Sequence, residues 1–124
     1  MRIVIAEDSV LLKAGLERLL SDAGHQVVAA VENAEDLLQA VTEFSPDLAI
    51  VDVRMPPTYT DEGIRAAVLI RAQNSAVAVL VLSQYVEERY AGELIADNSS
   101  GLGYLLKDRV ADVDEFLAAV AEVG

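Results

Sequence analysis

Leu48-Ala49-Ile50-Val51-Asp52 is the stretch that decides the fold: four apolar residues in a row, closed by a carboxylate. A strand with one wet face alternates apolar and polar residues. This one does not, which suits a strand covered on both faces inside a parallel sheet. Working outward, similar runs occur at Ile3 to Ala6, Val27 to Val31, Val77 to Leu82 and Tyr104 to Leu106. Segments with helical spacing separate them: Leu12, Leu16, Leu19 and Ala23 share one face of the first, and Leu37, Leu38 and Val41 one face of the second. Asn33, with Asp36 three residues on, is a helix start signal, and Asp112 and Glu115 stand in the same relation before Phe116, Leu117 and Val120. Strand and helix alternate five times, which predicts right-handed crossovers and an open doubly wound α/β domain: a five-stranded parallel sheet with five helices on its two faces. The runs alone do not fix the strand order, but five units fit the flavodoxin-like order 2-1-3-4-5 better than a closed eight-unit barrel.

With 124 residues and no internal repeat, linker or low-complexity segment, residues 1–124 are expected to form a single domain around one core. The longest apolar run, Ala76 to Leu82, is far short of a membrane span. Glu7 and Asp8 follow Met1 to Ala6 at once, so the start lacks a signal peptide's apolar segment and a cytoplasmic location is expected. There is no cysteine, which excludes disulfides, thiol catalysis and thiolate metal sites. A formal net charge of -12 repels nucleic-acid phosphates and anionic lipid alike, so this chain by itself is not expected to bind DNA or a membrane.

In open parallel sheets the ligand crevice lies beyond the carboxyl ends of the strands. After the first predicted strand come Glu7 and Asp8, after the third Asp52, after the fourth Ser83 and after the fifth Lys107. Three carboxylates converging there, about 5 Å apart, would repel by roughly 3 kcal/mol per pair at an effective dielectric near 20. Such a cluster either keeps a proton or binds a hard cation through oxygen, and Mg2+ suits it better than zinc because no cysteine or nearby histidine is present. A bound Mg2+ would also let a carboxylate attack phosphorus. Asp52 is the better nucleophile candidate, standing alone at a central strand end, while Glu7 and Asp8 read as a paired metal clamp. Lys107 and the Ser83 hydroxyl would then hold phosphoryl oxygens. Singly, each of these residues is more simply read as a turn residue or a helix cap, as Asp8 and Ser9 are for the first helix. Their joint occurrence after successive strands is what points to a site.

Over its whole length the chain resembles the receiver domains of two-component response regulators, with their CheY-like fold. The stretches that carry the resemblance are Ile3-Val4-Ile5-Ala6-Glu7-Asp8, Leu48 through Asp52 to Val53-Arg54-Met55-Pro56, Val81-Leu82-Ser83 and Gly103-Tyr104-Leu105-Leu106-Lys107. The resemblance implies the sheet order 2-1-3-4-5. It implies Mg2+ (or Mn2+) at Glu7, Asp8 and Asp52 with the backbone carbonyl of Arg54, and Asp52 as acceptor of a phosphoryl group from a sensor histidine kinase. Ser83 and Lys107 would sense that group. Tyr104 would be the switch aromatic, with Tyr85 its rival, and partly buried packing is the plain alternative for both. Beyond self-phosphorylation and autodephosphorylation no enzyme activity is implied.

Lys107 is followed by Asp108 where many receivers have proline, and this pair resembles the NarL/LuxR branch of transcriptional regulators. The segment from Met55 to Gly63 is about three residues longer than the family's usual loop, and Gln84 stands where a small residue is common. The fourth predicted helix, near Val86 to Ala96, is the candidate two-state element. Together with the fifth strand and fifth helix it would carry the change into homodimerisation. In this branch a carboxy-terminal helix-turn-helix domain, absent from this chain, binds DNA. An excised receiver and a natural single-domain regulator are both open readings. His25 is read as an exposed turn residue rather than a phosphorelay group. Among rivals, an aspartyl phosphatase needs an acid where Arg54 stands, and a flavodoxin needs a phosphate-cradling loop where Glu7 and Asp8 stand. A pseudo-receiver that acts only as a binding module is the third.

Overall fold

A computed structural model describes residues 1–53, 62–73, 76–83, 102–106 and 112–123. Strands β1 (Arg2–Ala6), β2 (Gln26–Val31), β3 (Leu48–Asp52), β4 (Ala78–Ser83) and β5 (Leu102–Leu106) form one sheet in the order β2-β1-β3-β4-β5. Every neighbouring pair is parallel. Helices α1 (Val10–Asp22), α2 (Ala34–Phe44), α3 (Glu62–Gln73) and α4 (Val113–Val123) are described. The helix expected near 86–96 and most of the 55–63 loop lie outside the described residues.

Strand periodicity sorts the core into two layers. Val4, Ala6, Ala49, Val51, Val79 and Val81 face α2 and α3, while Ile3, Ile5, Leu48, Ile50, Leu80 and Leu82 face α1 and α4. On the second side Phe116 and Val120 of α4 and Leu16 and Leu20 of α1 are fully buried. A side chain of that size adds roughly 1.5–3 kcal/mol when removed from water. Both layers need the inner positions of β1, β3 and β4, Ile3 to Ala6, Leu48 to Val51 and Ala78 to Leu82, to be apolar without a break, which is why these runs do not alternate.

Two details depart from expectation. The β2 run was read as buried on both faces, yet no residue of β2 is fully buried, because β2 is the sheet's edge strand. On α1 the buried residues are Leu16 and Leu20, with Leu12 and Leu19 at the margin. Ala23 is exposed at the C-cap, one residue past the helix, so the stripe turns toward Leu20.

The predicted caps form. Asn33 Oδ1 accepts from the Asp36 amide at 2.8 Å, and Asp112 Oδ1 from the Glu115 amide at 3.1 Å. Ser9 Oγ accepts more weakly from the Leu12 amide at 3.4 Å, so Ser9 is the N-cap of α1 and Asp8 is left to another task. At the opposite edge of the sheet, Asp47 ties three strand starts together: its amide donates to the Arg2 carbonyl, its carboxylate accepts from the Arg2 amide, and its carbonyl accepts from the Ala78 amide. Arg71 Nη1 donates to the Val77 carbonyl at 2.7 Å and fixes the end of α3 against the entry to β4. Among the described residues no helix is long and apolar enough to cross a membrane.

Candidate functional site

β1 and β3 are adjacent and in register, with Ala6 opposite Val51. One step beyond that pair on each strand come Glu7 and Asp52, so pairing of the central strands alone carries two acids to the same edge. Asp8 follows as the chain turns toward α1. Carboxylate oxygens of Glu7, Asp8 and Asp52 lie within 4.8 Å of one another. Glu7 is 1% exposed and Asp52 3% exposed, whereas Asp8 is half-buried. The expected clamp and nucleophile are thus brought together.

The backbone around the cluster is closely held. The Glu7 amide donates to the Val31 carbonyl at 3.0 Å, and Glu7 Oε1 accepts from the Ser9 amide at 3.1 Å. Ser9 therefore caps α1 through its hydroxyl and orients the Glu7 carboxylate through its amide. Past Asp52, the Val53 amide donates to the Leu82 carbonyl at 3.0 Å and the Val53 carbonyl accepts from the Gly63 amide at 2.9 Å. The peptide that carries Asp52 is thereby held by β4 and by the first turn of α3.

Ser83 ends β4 at 1% exposure, one residue beyond Leu82, the partner of Asp52 across the β3–β4 ladder. It sits at the same carboxyl edge as the acids, and its opposite number on β5 is Leu106, the residue before Lys107. Lys107 itself, Asp108, Arg54, Gln84 and Tyr85 lie outside the described residues. Tyr104 is described by its backbone alone, opposite Val81 in β5. His25 is half-buried rather than exposed, with Nδ1 3.1 Å from the Met1 amino group, at the sheet edge away from the acids.

At 4.8 Å two carboxylates repel by about 3.5 kcal/mol at an effective dielectric of 20. Three of them, two nearly excluded from water, offer an all-oxygen donor set of the kind a hard divalent cation takes. The donors thus fit Mg2+ or Mn2+. Sequence reasoning missed one participant, Gly63, which it treated only as the end of a loop. An ideal Cβ at Gly63 would come within 1.7 Å of the Asp52 carbonyl oxygen.

A parallel, doubly wound sheet with an acidic cluster at the carboxyl edge of its central strands is the architecture of a signalling receiver. Residues 3–121 match the profile of the response regulator receiver domain, and the chain belongs to that family. It is similar to the transcriptional regulatory protein DegU of Brevibacillus brevis, 32% identical over 126 residues that cover 100% of this chain and 51% of the relative. Among solved structures, a DNA-binding response regulator of the LuxR family from Staphylococcus aureus superposes with a TM-score of 0.82. The identity is 24%, over 98% of this chain and 97% of that one. The signal receiver domain of the putative response regulator NarL from Mycobacterium tuberculosis gives a TM-score of 0.78 at 28% identity, over 97% and 95% of the two chains. Both solved structures are response regulators, one of the LuxR family and one NarL, the branch that the Lys107-Asp108 pair resembles. The chain spans about half the length of the curated relatives it matches.

Proposed function

We propose that this chain is a phosphorylation-dependent switch in which Asp52 accepts a phosphoryl group from the phosphohistidine of a sensor kinase. The observation that carries this reading is the convergence of Glu7, Asp8 and Asp52 within 4.8 Å at the carboxyl edge of the sheet. Glu7, Asp8 and Asp52, with the carbonyl of Arg54, would hold Mg2+ or Mn2+. When bound, the cation supplies the positive charge that lets an anionic carboxylate approach an anionic phosphoryl group. Asp52 forms its oxygen–phosphorus bond as the phosphorus–nitrogen bond to the donor imidazole breaks, and the imidazole keeps that electron pair. Ser83 donates its hydroxyl proton to one phosphoryl oxygen and Lys107 pairs with another. Asp52 is buried, which keeps water from the acyl phosphate except by the route the donor uses.

The added charge, roughly 1.5 to 2 units, biases the segment near 86–96 together with β5 and α4, with Tyr104 or Tyr85 as the gating aromatic. The output is a change in homodimerisation that controls a DNA-binding helix-turn-helix domain in the whole protein, with residues 1–124 forming the receiver. The cytoplasm is the compartment in which the donor kinase domain would meet it. Receivers are switches rather than turnover enzymes, and this one performs only its own phosphorylation and dephosphorylation.

The test is to incubate the chain with Mg2+ and a small acyl phosphate, then with a phosphorylated kinase, and to weigh the intact protein. The expected result is a gain of one phosphoryl group, lost in EDTA and in Asp52→Asn. Absence of label from the kinase as well, or full labelling of Asp52→Asn, would overturn the reading.

A further inference from the structure

The first turn of α3 approaches the backbone of the acidic residue more closely than any side chain allows. A Cβ built on Gly63 would lie 1.7 Å from the Asp52 carbonyl oxygen, 2.6 Å from its carbonyl carbon and 2.9 Å from the Val53 Cα. All three atoms are backbone, so no flexible side chain can swing aside. Gly63 is the second residue of α3, and its amide belongs to the first turn, where helical donors have no partner within the helix. Here that amide donates to the Val53 carbonyl at 2.9 Å. On the other side of the same unit the Val53 amide donates to Leu82 at 3.0 Å.

From this geometry we propose that Gly63 is a positioning residue for Asp52: by admitting α3 against the Asp52–Val53 peptide, it sets where the Asp52 carboxylate stands relative to Glu7 and Asp8. The proposal rests on the reading of Asp52 as phosphoacceptor for its consequence, though not for its geometry. Neighbouring residues of α3 do a different job. Ile64, Ala67 and Ile70 are buried in the layer under β3 and β4 and hold the helix to the sheet by apolar packing. Gly63 instead meets the backbone of the acid and its neighbour directly. With a methyl group there, either α3 must back away, losing the Gly63–Val53 hydrogen bond, or the Asp52 peptide must shift toward β1 and β4.

The experiment compares Gly63→Ala with Ile70→Val, which removes one methylene from the buried face of the same helix about two turns away. Crystal structures of both are expected to show Asp52 displaced from the Glu7–Asp8 pair in Gly63→Ala and unmoved in Ile70→Val. Phosphorylation by acyl phosphate at saturating Mg2+ is expected to slow at least tenfold in Gly63→Ala and less than twofold in Ile70→Val, with both proteins folded at the assay temperature. If the alanine variant does not fold, amide exchange in the parent decides: the Gly63 amide is expected to be protected like the β3 amides, not like the open first turn of a helix. An unmoved cluster in Gly63→Ala, labelling equal to that of Ile70→Val, or a rapidly exchanging Gly63 amide would overturn the proposal. An unlabelled parent would instead overturn the phosphoacceptor reading, and the crystallographic and exchange measurements would still decide the role of Gly63.

Discussion

Replacing Asp52 by Asn should make the metal-free protein more stable, because the acidic cluster is a cost that the fold carries for its function. Asp52 takes part in two of the three carboxylate pairs, all within 4.8 Å, and each pair repels by about 3.5 kcal/mol at an effective dielectric of 20. At that greatest separation the repulsion removed, before any screening, is roughly 7 kcal/mol. Asp8 is half-exposed, so solvent screens its share, and the Ser9 amide stabilises the charged form of Glu7. Allowing for both, and for the hydrogen bonds a neutral amide makes less strongly, the net gain should be about 1–3 kcal/mol. A domain of this size responds with a rise in Tm of roughly 3–6 °C per kcal/mol. The assay is urea unfolding of parent and variant in EDTA, repeated in Mg2+. A cation at about ten times its Kd adds roughly 1.4 kcal/mol to a protein that binds it, so the parent should gain on addition of Mg2+ and the variant gain less. A variant no more stable than the parent in EDTA, or equal stabilisation of both by Mg2+, would refute the electrostatic account.

Phe116→Ala should cost about 3–5 kcal/mol, since this fully buried ring anchors α4 on the sheet and leaves a cavity when removed; thermal unfolding reads the loss. Asn33→Ala should cost about 1 kcal/mol by freeing the Asp36 amide, with Asn33→Ser restoring most of it in denaturant titrations. The Lys13–Glu32 pair at 3.1 Å, with the Glu32 side chain half exposed, should contribute less than about 1 kcal/mol in a double-mutant cycle, and less again in high salt. Gln84→Ala should speed labelling by a small acyl phosphate if the amide hinders entry to the site, and rates equal to the parent's would remove that role from Gln84.

How much of this was legible in the sequence depends on which force acts at each residue. The central strands were readable because burial on both faces forbids alternation, and the strand ends were readable because a polar residue follows each run. Glu7 and Asp52 meet because β1 and β3 pair in parallel with Ala6 opposite Val51, a register that the apolar runs alone do not dictate. The edge strand β2 was misread because its apolar run matches that of a buried strand, and only the sheet order shows which strand has one neighbour. Leu20 was missed for a related reason: the helical stripe marks an arc, and the centre of that arc is chosen by the sheet beneath it. Gly63 gave no signal, since a glycine after a loop is usually a matter of turn conformation, and the approach of α3 to the Asp52 carbonyl depends on contacts across the fold.

The proposed switch depends on a single cation site shared by residues 7, 8 and 52. Anomalous diffraction from crystals soaked in Mn2+ tests it directly. The expected result is one peak about 2.1–2.3 Å from carboxylate oxygens at the β1 and β3 strand ends, reduced or lost in Asp8→Asn. No peak there at high Mn2+, or a peak bound elsewhere while those oxygens stay unligated, would contradict it.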